Sequence, residues 1–444
     1  MAASSARFSI VGGGLGGALM AIYLARAGHE VEIFERRGDP RKEKGAEGRS
    51  INLAISTRGL HALERAGLAA GVLKASVPLR GRMVHSPQGE TRLQPYGIRE
   101  DDVIRSVSRG GLNVLLLDAA ESHANVRIHF GKRCTGVDLG AGTAFFADVE
   151  SSETCRSEGD LLVGADGAFS AVRLQMQRIE GFNYRQDFLE HGYKELSMPA
   201  TPGGGFAMEK NALHIWPRGG YMMIALPNVD GSFTCTCFWP LRGENSFAAL
   251  TTRSEILRFF EERFPDAVPR MPTLAEDYVE NPTSTLVTIR CSPWHHGGRM
   301  VLLGDACHAV VPFYGQGANA AFEDCVVLDE CLARHAPRWD RAFEEFQRLR
   351  KEHTDALADL SLANFVEMRD KTASRLFQFE KRLEKGLHRL FPAWFVPLYT
   401  MVTFSRTPYA QAVRRARRQW IALAWALGLV LAFALLVLGG FQWI

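Results

Sequence analysis

The stretch RFSIVGGGLGGALMAIYLARAGHEVEIFE, residues 7–35, predicts a dinucleotide-binding fold at the start of this 444-residue chain. An apolar strand leads into a G-x-G-x-x-G turn formed by Gly12, Gly14 and Gly17, and a helix-like run and a second strand that ends at Glu35 follow. In this arrangement the turn and the helix start hold a pyrophosphate, and the carboxylate accepts a ribose hydroxyl. Because all five parts occur in order, we expect this segment to bind FAD or NAD rather than to form only a tight turn.

A second glycine-rich turn, GDACHAVVPFYGQGANAAFED at residues 304–324, follows another short apolar strand, 300–303. Asp305 stands where that strand ends, and the residues from Gly315 to Asn319 carry little side-chain bulk before a helical run. Such a turn lets the backbone approach a flat ligand and aims the free N–H groups of a helix start at it. Taken alone, the segment could equally be an ordinary strand-to-helix turn with a capping Asp305.

Two further polar residues stand at the ends of predicted strands. Asp166 lies in GADGAFSAVR, directly after the apolar strand 160–163, and Arg109 follows the strand 105–108 and precedes an amphipathic run. Ligands of open α/β sheets bind at the carboxyl ends of the strands. Asp166 is therefore a candidate ligand residue, and Arg109 is either placed to meet a phosphate or simply a solvated arginine at a helix start.

The composition is that of an ordinary globular protein, with 46% hydrophobic and 23% charged residues. The formal net charge is +3, and residues 406–444 contain five arginines and no acid, so the remainder of the chain is close to neutral. A near-neutral body argues against nucleic acid as a partner. The 8 cysteines form no CxxC pair and show no metal-like spacing with histidine. We therefore expect reduced thiols in a cytosol-facing protein and no metal site.

The middle section, about residues 180–290, alternates apolar and polar residues between turn signals, which indicates an antiparallel sheet beside the first domain. Phe238 in this section could form a pocket wall, although core packing is the commoner role of such a residue. Later helical patterning gathers Asn364, Glu367 and Met368 on one face. Polar groups on an otherwise apolar stripe are either surface residues or pocket lining.

The C-terminus combines a basic stretch, RRARRQW at 414–420, with an uncharged run, 419–444. As a helix, the residues from Ile421 onward would span roughly 36 Å, which exceeds the bilayer core of about 30 Å. Flanking arginines and terminal tryptophans suit an anchor whose body stays on the cytosolic side. We expect one transmembrane helix, which in a eukaryote would lie in the mitochondrial outer membrane. A helix buried in a dimer is the alternative.

The glycine turn, the Asp166 segment and the Asp305 segment together resemble the group A aromatic flavoprotein monooxygenases, and the likeness covers nearly the whole chain in the order and spacing of that family. Tyr314 departs from the family pattern, which has Phe there. The segments that look like the kynurenine 3-monooxygenase family in particular are GRSINLAIS at 48–56, RMVHS at 82–86, PYG at 95–97, FLEHGYKEL at 188–196 and PLYTMVTFSR at 397–406.

The resemblance implies non-covalently bound FAD and a transient visit by NADPH, since the chain contains no second glycine fingerprint. It also implies that a flavin hydroperoxide hydroxylates ring position 3 of L-kynurenine, with O2 as the oxygen source. The protein would then orient the substrate and exclude water rather than supply a strong base. The residues that the resemblance places at FAD are Gly12, Gly14, Leu15, Gly17, Glu35, Arg109, Asp166, Asp305, Gly315, Gly317, Ala318 and Asn319.

The same resemblance implies a substrate pocket in which Arg82 and Tyr96 bind the carboxylate of kynurenine. An arginine and a tyrosine hydroxyl match a carboxylate by charge-assisted hydrogen bonds. Without the resemblance, Arg82 is more often a surface residue and Tyr96 a turn aromatic. The other residues placed at the substrate are Asn364, Tyr399, Phe238, Glu367 and Met368. The reaction would be driven by the flavin, so no side chain is assigned as catalytic, and Pro312, Phe313 and Gln316 are expected in the pocket.

The expected fold is therefore α/β, with a Rossmann-like FAD-binding domain, an inserted antiparallel β-sheet substrate domain, C-terminal helices and one transmembrane helix. Two rival functions stay open: hydroxylation of another aromatic acid, and a membrane-attached flavoprotein redox sensor that binds a ligand without hydroxylating it. The oligomeric state stays unknown. The expected domains are 1–180 with 290–335 for FAD, 181–289 for substrate, 336–405 as helices and 406–444 as a basic stretch with its anchor.

Overall fold

The computed structural model describes residues 5–42, 51–371 and 375–440, without the side chains of 371–378 and 434–440. The strands are β1 (Arg7–Val11), β2 (Glu30–Phe34), β3 (Asn52–Ile55), β4 (Ser76–Leu79), β5 (Gly81–His85), β6 (Thr91–Pro95), β7 (Ile104–Ser108), β8 (Val126–His129), β9 (Lys132–Asp138), β10 (Thr143–Asp148), β11 (Thr154–Arg156), β12 (Leu161–Gly164), β13 (Asn183–Met198), β14 (Ala212–Pro217), β15 (Met222–Pro227), β16 (Phe233–Pro240), β17 (Ser284–Ser292), β18 (His295–His296) and β19 (Met300–Leu302). The helices are α1 (Leu15–Arg26), α2 (Thr57–Arg65), α3 (Ala69–Lys74), α4 (Arg109–Glu121), α5 (Ala171–Met176), α6 (Arg253–Arg263), α7 (Leu274–Glu280), α8 (Asp305–His308), α9 (Gly317–His335), α10 (Trp339–Val366), α11 (Arg375–Leu390), α12 (Leu398–Thr403) and α13 (Tyr409–Gly440).

The central layer is a six-stranded sheet in the order β18-β19-β12-β1-β2-β8. All neighbouring strands run parallel except β18 and β19. β12 is fully buried, and β1 is buried after its first residue, because helices including α1 and α9 pack on this sheet. The carboxyl ends of β1, β12 and β19 are neighbours, so the segments that begin at Gly12, Ala165 and Leu303 share one edge. The predicted α/β fold is confirmed.

The second large layer is a seven-stranded sheet in the order β17-β13-β16-β15-β14-β5-β6. Its pairs are antiparallel except β14 with β5. Five strands come from the middle section, where the sequence predicts an antiparallel sheet, while β5 and β6 come from residues 81–95. Two three-stranded sheets, β11-β10-β9 and β3-β7-β4, complete the β structure of the described residues. The domain boundaries given above stay a prediction.

Strand β16 is buried on both faces and so connects two parts of the core. Trp239 lies in an aromatic cluster between the sheet and helices α6 and α7. Phe238 points to the opposite face, where it packs in a cluster with Phe313 and Met368, because successive side chains of a strand alternate. Truncating a fully buried tryptophan such as Trp239 typically costs about 3–5 kcal/mol. The alternation therefore packs Phe238 against Phe313 and Met368, while Trp239 stabilises the opposite face of the sheet.

The predicted transmembrane helix and the membrane-anchored localisation are wrong. Within the described part of the chain, no helix is long and apolar enough to cross a bilayer. The helix α13 begins at Tyr409 and not at Ile421, and its arginine-containing first turns are part of the folded body. There Tyr409, Ala412 and Ala416 pack in a cluster with Leu357 of α10. Residues 441–444 lie outside the described residues.

Candidate functional site

The glycine turn after β1 uses two of its glycines for packing within the chain. A Cβ on Gly12, whose φ is +107°, would lie 2.5 Å from the carbonyl oxygen of Ala165, and a Cβ on Gly17 would lie 2.0 Å from that of Gly12. A Cβ on Gly14 would meet no described atom within 4 Å. Helix α1 begins at Leu15 without a side-chain cap among the described residues. The space beside Gly14 and the free N–H groups of the helix start therefore form a place where an anionic ligand can bind.

Glu35 lies at the end of β2 and closes the same turn. One carboxylate oxygen accepts a hydrogen bond from the Gly13 amide at 2.8 Å, and the other accepts from the Arg37 amide at 3.0 Å. Asn113 of α4 donates from its side-chain amide to the Gly13 carbonyl at 2.9 Å. The sequence analysis missed Asn113, although a polar residue within the apolar run LNVLLL was a signal for it. Glu35 and Asn113 therefore satisfy both backbone polar groups of Gly13 and fix the turn.

Arg109 is exposed at the first position of α4, where Ser108 caps the helix by accepting from the Gly111 amide at 3.3 Å. Its charge acts on Glu195 of β13. Burial raises the pKa of Glu195 to about 6, and the Ile51 amide and Arg109 act against this shift. Arg109 therefore follows β7 of the sheet β3-β7-β4, close enough to Glu195 of β13 for its charge to act there, and its exposed side chain is accessible to a phosphate.

Asp166 and Asp305 follow neighbouring strands of the six-stranded sheet. One carboxylate oxygen of Asp166 accepts from the Ala171 amide at 2.6 Å and from the Val172 amide at 3.3 Å. Its other oxygen, Oδ1, is buried and has no partner among the described residues. Burial raises the pKa of Asp166. Asp305 is exposed at the start of α8, after Gly304 with φ +61°. The two acids can accept hydroxyl groups of a ligand at this edge.

The turn before α9 is built from a short 3-10 turn, Pro312–Tyr314, and a left-handed Gly315 with φ +66°. Asn319 is fully buried, and its side chain is used inside the turn. Its oxygen accepts from the Ser56 amide at 2.8 Å, and its nitrogen donates to the carbonyls of Ala54 and Gly315, both at 2.8 Å. Asn319 therefore shapes the turn, while the backbone from Gly315 to Ala318 is what a ligand could contact.

Arg82, Tyr96, Tyr399 and Glu367 come together beside a cavity of about 210 Å³. The guanidinium carbon of Arg82 lies 5.7 Å from the ring centroid of Tyr96 and 5.0 Å from that of Tyr399. Glu367 approaches Arg82 only to 4.0 Å. Arg82 Nε is buried and has no hydrogen-bond partner in the described part of the chain. Burial raises the pKa of both tyrosines, so their hydroxyls remain protonated at neutral pH.

A π-helical turn, Glu367–Lys371, follows α10 and brings Glu367 to the lining of this cavity. Asn364 donates to the Phe313 carbonyl at 2.6 Å and to the Met368 sulfur at 3.3 Å. Phe313 lies 4.9 Å from Phe238 between ring centroids. Asn364 and Met368 therefore join Phe238 and Phe313 in an apolar wall. None of these four residues lines the cavity of about 210 Å³, whereas Glu367 lines it and approaches Arg82.

Tyr314 occupies the position where the family pattern has Phe. Its ring lies 5.6 Å from that of Tyr399. Burial raises the pKa of Tyr314 well above its ordinary value, so it stays neutral. The apolar wall also includes Ile215 and Met222, which the sequence analysis missed because alternating apolar residues of a strand read equally well as core. No signal in the sequence distinguished these two from other core positions.

Comparison with known proteins gives a family match over most of the chain. A family described as an FAD binding domain matches residues 6–360. A kynurenine 3-monooxygenase of Myxococcus xanthus is 51% identical over 404 residues, which cover 91% of this chain and 87% of that protein. A kynurenine 3-monooxygenase of Salinispora tropica is 51% identical over 414 residues, which cover 93% of this chain and 91% of that protein.

Solved structures show the same fold at lower sequence identity. The tetrameric form of 2-methyl-3-hydroxypyridine-5-carboxylic acid oxygenase has a TM-score of 0.68 at 22% identity, with 83% of this chain and 94% of that chain covered. PqsL of Pseudomonas aeruginosa, in complex with 2-aminobenzoylacetate, has a TM-score of 0.66 at 20% identity, with 83% and 97% covered. These likenesses extend the fold assignment to nearly the whole length of both oxygenases.

Proposed function

The chain belongs to the family of FAD-dependent kynurenine 3-monooxygenases, and from this premise we propose that it hydroxylates L-kynurenine at ring position 3. It is a flavoprotein monooxygenase that uses FAD, NADPH and O2. The reaction converts NADPH, a proton, O2 and kynurenine into NADP⁺, water and 3-hydroxykynurenine. The rival function as a redox sensor without turnover is not favoured by these relatives.

The residues at the shared sheet edge fit FAD. The open space over Gly14 and the uncapped start of α1 suit the pyrophosphate, and Glu35 and Asp305 suit ribose and ribityl hydroxyls. The buried Oδ1 of Asp166, which has no partner among the described residues, can accept a further hydrogen bond. FAD, when bound, supplies electron transfer from NADPH and the activation of O2. We assign Arg109 to a phosphate and the backbone of Gly315 to Ala318 to the isoalloxazine ring.

The single observation that carries the substrate assignment is the environment of Arg82. Its guanidinium lies beside the stacked rings of Tyr96 and Tyr399, its Nε has no partner in the described part of the chain, and the carboxylate of Glu367 is 4.0 Å away. An arginine in this position can donate two parallel hydrogen bonds to a substrate carboxylate. We therefore assign Arg82 and Tyr96 to the carboxylate of kynurenine, with Tyr399 closing the other side.

We assign the aromatic ring of the substrate to the apolar wall, which would orient the ring and exclude water. Phe238 and Phe313 supply ring faces, and Asn364 fixes the Phe313 carbonyl. An aniline ring is already electron-rich, so orientation and dryness are the main requirements. Residues 1–180 with 290–335 would bind FAD, and 181–289 would cover the substrate.

Mass spectrometry of the products formed from NADPH, O2 and L-kynurenine tests this proposal. We expect a product that is one oxygen atom heavier than kynurenine, and faster NADPH oxidation when kynurenine is added. Benzoate, phenol and anthranilate analogues serve as rival substrates in parallel reactions. A product from one of these, with none from kynurenine, would assign the enzyme to another aromatic acid.

A further inference from the structure

Gln316 stands at the cap position of α9, beside the left-handed Gly315, in the turn that we assign to the isoalloxazine ring. Its side chain is buried, so its amide has to form hydrogen bonds inside the protein. The hydroxyl of Tyr409 donates to its oxygen at 3.1 Å, and its nitrogen donates to the hydroxyl of Ser56 at 3.3 Å. Two side chains therefore determine the position of this amide.

Tyr409 is the first residue of α13 and comes from a part of the chain far from the glycine turns. It is fully buried, and the guanidinium carbon of Arg58 lies 4.0 Å from its ring centroid. Burial raises the pKa of Tyr409, so its hydroxyl remains a donor at neutral pH. The ring is thus fixed by a cation–π contact with Arg58, and the hydroxyl donates its hydrogen bond to Gln316.

Arg58 ties the segment before α13 to the helices around the flavin turn. It donates to Glu323 of α9 at 2.7 Å, to the Val402 carbonyl at 3.4 Å and to the Thr407 carbonyl. Glu323 also pairs with Arg350 of α10. A buried charge network of this kind is expensive to open, because removing one partner leaves another charge buried. The start of α13 is therefore firmly connected to α9.

The same network reaches the helix that carries Asp305. Arg350 donates to Asp324 of α9 at 2.6 Å, and Asp324 contacts His308 of α8 at 2.5 Å. The attraction of Arg350 and His308 holds the pKa of Asp324 below its usual value, despite burial. Helices α8 and α9, whose starts carry the residues assigned to FAD, are thus both linked to the C-terminal segment.

We propose that Tyr409 is a positioning residue for the hydroxylation. Its hydroxyl fixes the Gln316 amide, so the packing of α13 on the protein determines the geometry of the turn 315–318, which we assign to the flavin. The assignment of that turn to the flavin rests on the proposed function, whereas the hydrogen bond between Tyr409 and Gln316 does not depend on it. When the hydroxyl is lost, the turn should loosen. A larger share of NADPH and O2 should then end as NADP⁺ and H2O2 instead of as water and hydroxylated substrate.

Tyr409→Phe tests the proposal, because it removes only the hydroxyl and keeps the ring on Arg58. Hydrogen–deuterium exchange should become about fivefold faster at residues 315–318, in both the FAD-loaded and the cofactor-free protein, as expected for the loss of one neutral hydrogen bond. The variant should retain FAD, and the ratio of H2O2 to hydroxylated product should rise. Ser56→Ala removes the other partner of Gln316 and should change the exchange in the same direction.

Tyr278→Phe is the matched control, since the Tyr278 hydroxyl is buried in the aromatic cluster of the other sheet and has no partner among the described residues. It should leave the exchange of residues 315–318 and the H2O2 ratio unchanged. Combining Tyr409→Phe with Gln316→Ala should be no worse than Gln316→Ala alone, because both act through one bond.

Parental exchange at residues 315–318 in Tyr409→Phe, or additive effects in the double variant, would overturn the positioning role. Because exchange needs no substrate, it also separates the two proposals. If the exchange changes as expected while the parent forms no hydroxykynurenine, the contact between Tyr409 and Gln316 stands and the substrate assignment fails.

Discussion

Arg82 is a strand residue whose neighbours come from three distant parts of the chain. β5 carries it, Tyr96 follows β6, and Tyr399 and Glu367 come from C-terminal segments. The guanidinium carbon lies 5.7 Å and 5.0 Å from the ring centroids of Tyr96 and Tyr399, which stack on each other at 5.6 Å, so the guanidinium lies beside this pair and its free N–H can meet a carboxylate. Position in the fold, more than residue type, makes this arginine suited to an amino-acid substrate.

Arg82→Ala is expected to keep its flavin spectrum and to lose kynurenine-stimulated NADPH oxidation. Losing a charged contact should weaken substrate binding by about 2–4 kcal/mol, or roughly 30- to 1000-fold in Kd. Substrate titration of the flavin absorbance measures this. Arg290→Ala is the control, because Arg290 lies on β17 of the same sheet and pairs with the exposed Asp359. Unchanged kynurenine binding in Arg82→Ala would make the assignment wrong.

The three glycines of the motif at the start of α1 differ in the space that surrounds them. Gly12 and Gly17 are required by close backbone contacts, whereas the described chain leaves space around Gly14. A motif of three glycines thus contains two that the packing of the backbone requires and one that leaves space for the proposed pyrophosphate.

Gly14→Val should therefore fold and fail to bind FAD, whereas Gly17→Val should fail to fold. The valine at position 14 would occupy the space that the pyrophosphate needs, while a valine at 17 would overlap the Gly12 carbonyl. Far-UV circular dichroism and the flavin absorbance of the purified variants distinguish the two effects. A yellow Gly14→Val protein would contradict the placement of the pyrophosphate.

Another element-scale feature joins β5 to β14 behind the substrate pocket. His85 contacts Asp266 at 2.6 Å and His214 at 2.8 Å, and His214 contacts the Glu209 carbonyl at 2.8 Å. Because a carbonyl only accepts, His214 Nε2 carries a proton. Burial lowers the pKa of His214 to about 4, so the ring is neutral and its Nδ1 accepts from His85. Trp216 also donates to Asp266, at 3.0 Å.

The depressed pKa of His214 predicts a loss of stability in mild acid. The unfolded chain binds a proton near pH 6.5 and the folded chain only near pH 4, so stability is complete above pH 6.5 and falls as the pH drops toward 4. Between pH 7 and pH 5 this one group should cost about 2 kcal/mol. Urea unfolding of the parent and of His214→Gln, which cannot titrate, should show that difference. Equal pH dependence in both would refute it.

Across the whole molecule, the residues that we assign to FAD come from five separated segments. Gly14, Arg109, Asp166, Asp305 and Gly315 belong to different strands and helices, and the network of Arg58 adds the C-terminal segment. A cofactor that contacts so many segments binds the folded chain and not the unfolded one. FAD should therefore stabilise the protein as a unit.

Removing FAD should lower the melting temperature of the protein. At a free concentration of 100 times its Kd, the cofactor should contribute about 2.7 kcal/mol to the free energy of unfolding. Thermal unfolding with and without added FAD measures the shift, and Gly14→Val should show none. Acid precipitation should release the yellow cofactor. Flavin retained on the denatured chain would contradict non-covalent binding.

Much of the fold and of the cofactor site could be predicted because their signals are local. The turn at Gly12, the strand ends before Asp166 and Asp305, and the helix starts are each encoded by adjacent residues whose backbone geometry follows from glycine and hydrophobic periodicity. The α/β fold and the FAD cofactor were confirmed. The individual site residues stay predictions.

Local sequence patterns were sufficient to identify the nucleotide-binding fold and its cofactor, and the resemblance identified the family. The three-dimensional contacts were needed to show that Arg82 lies beside the stacked rings of Tyr96 and Tyr399, that Asn319 shapes the turn from inside, and that the start of α13 packs on the body. These outcomes depend on contacts between residues that are up to several hundred positions apart. Hydrophobic periodicity states which face of an element is apolar, but only the packed molecule decides which partner covers that face.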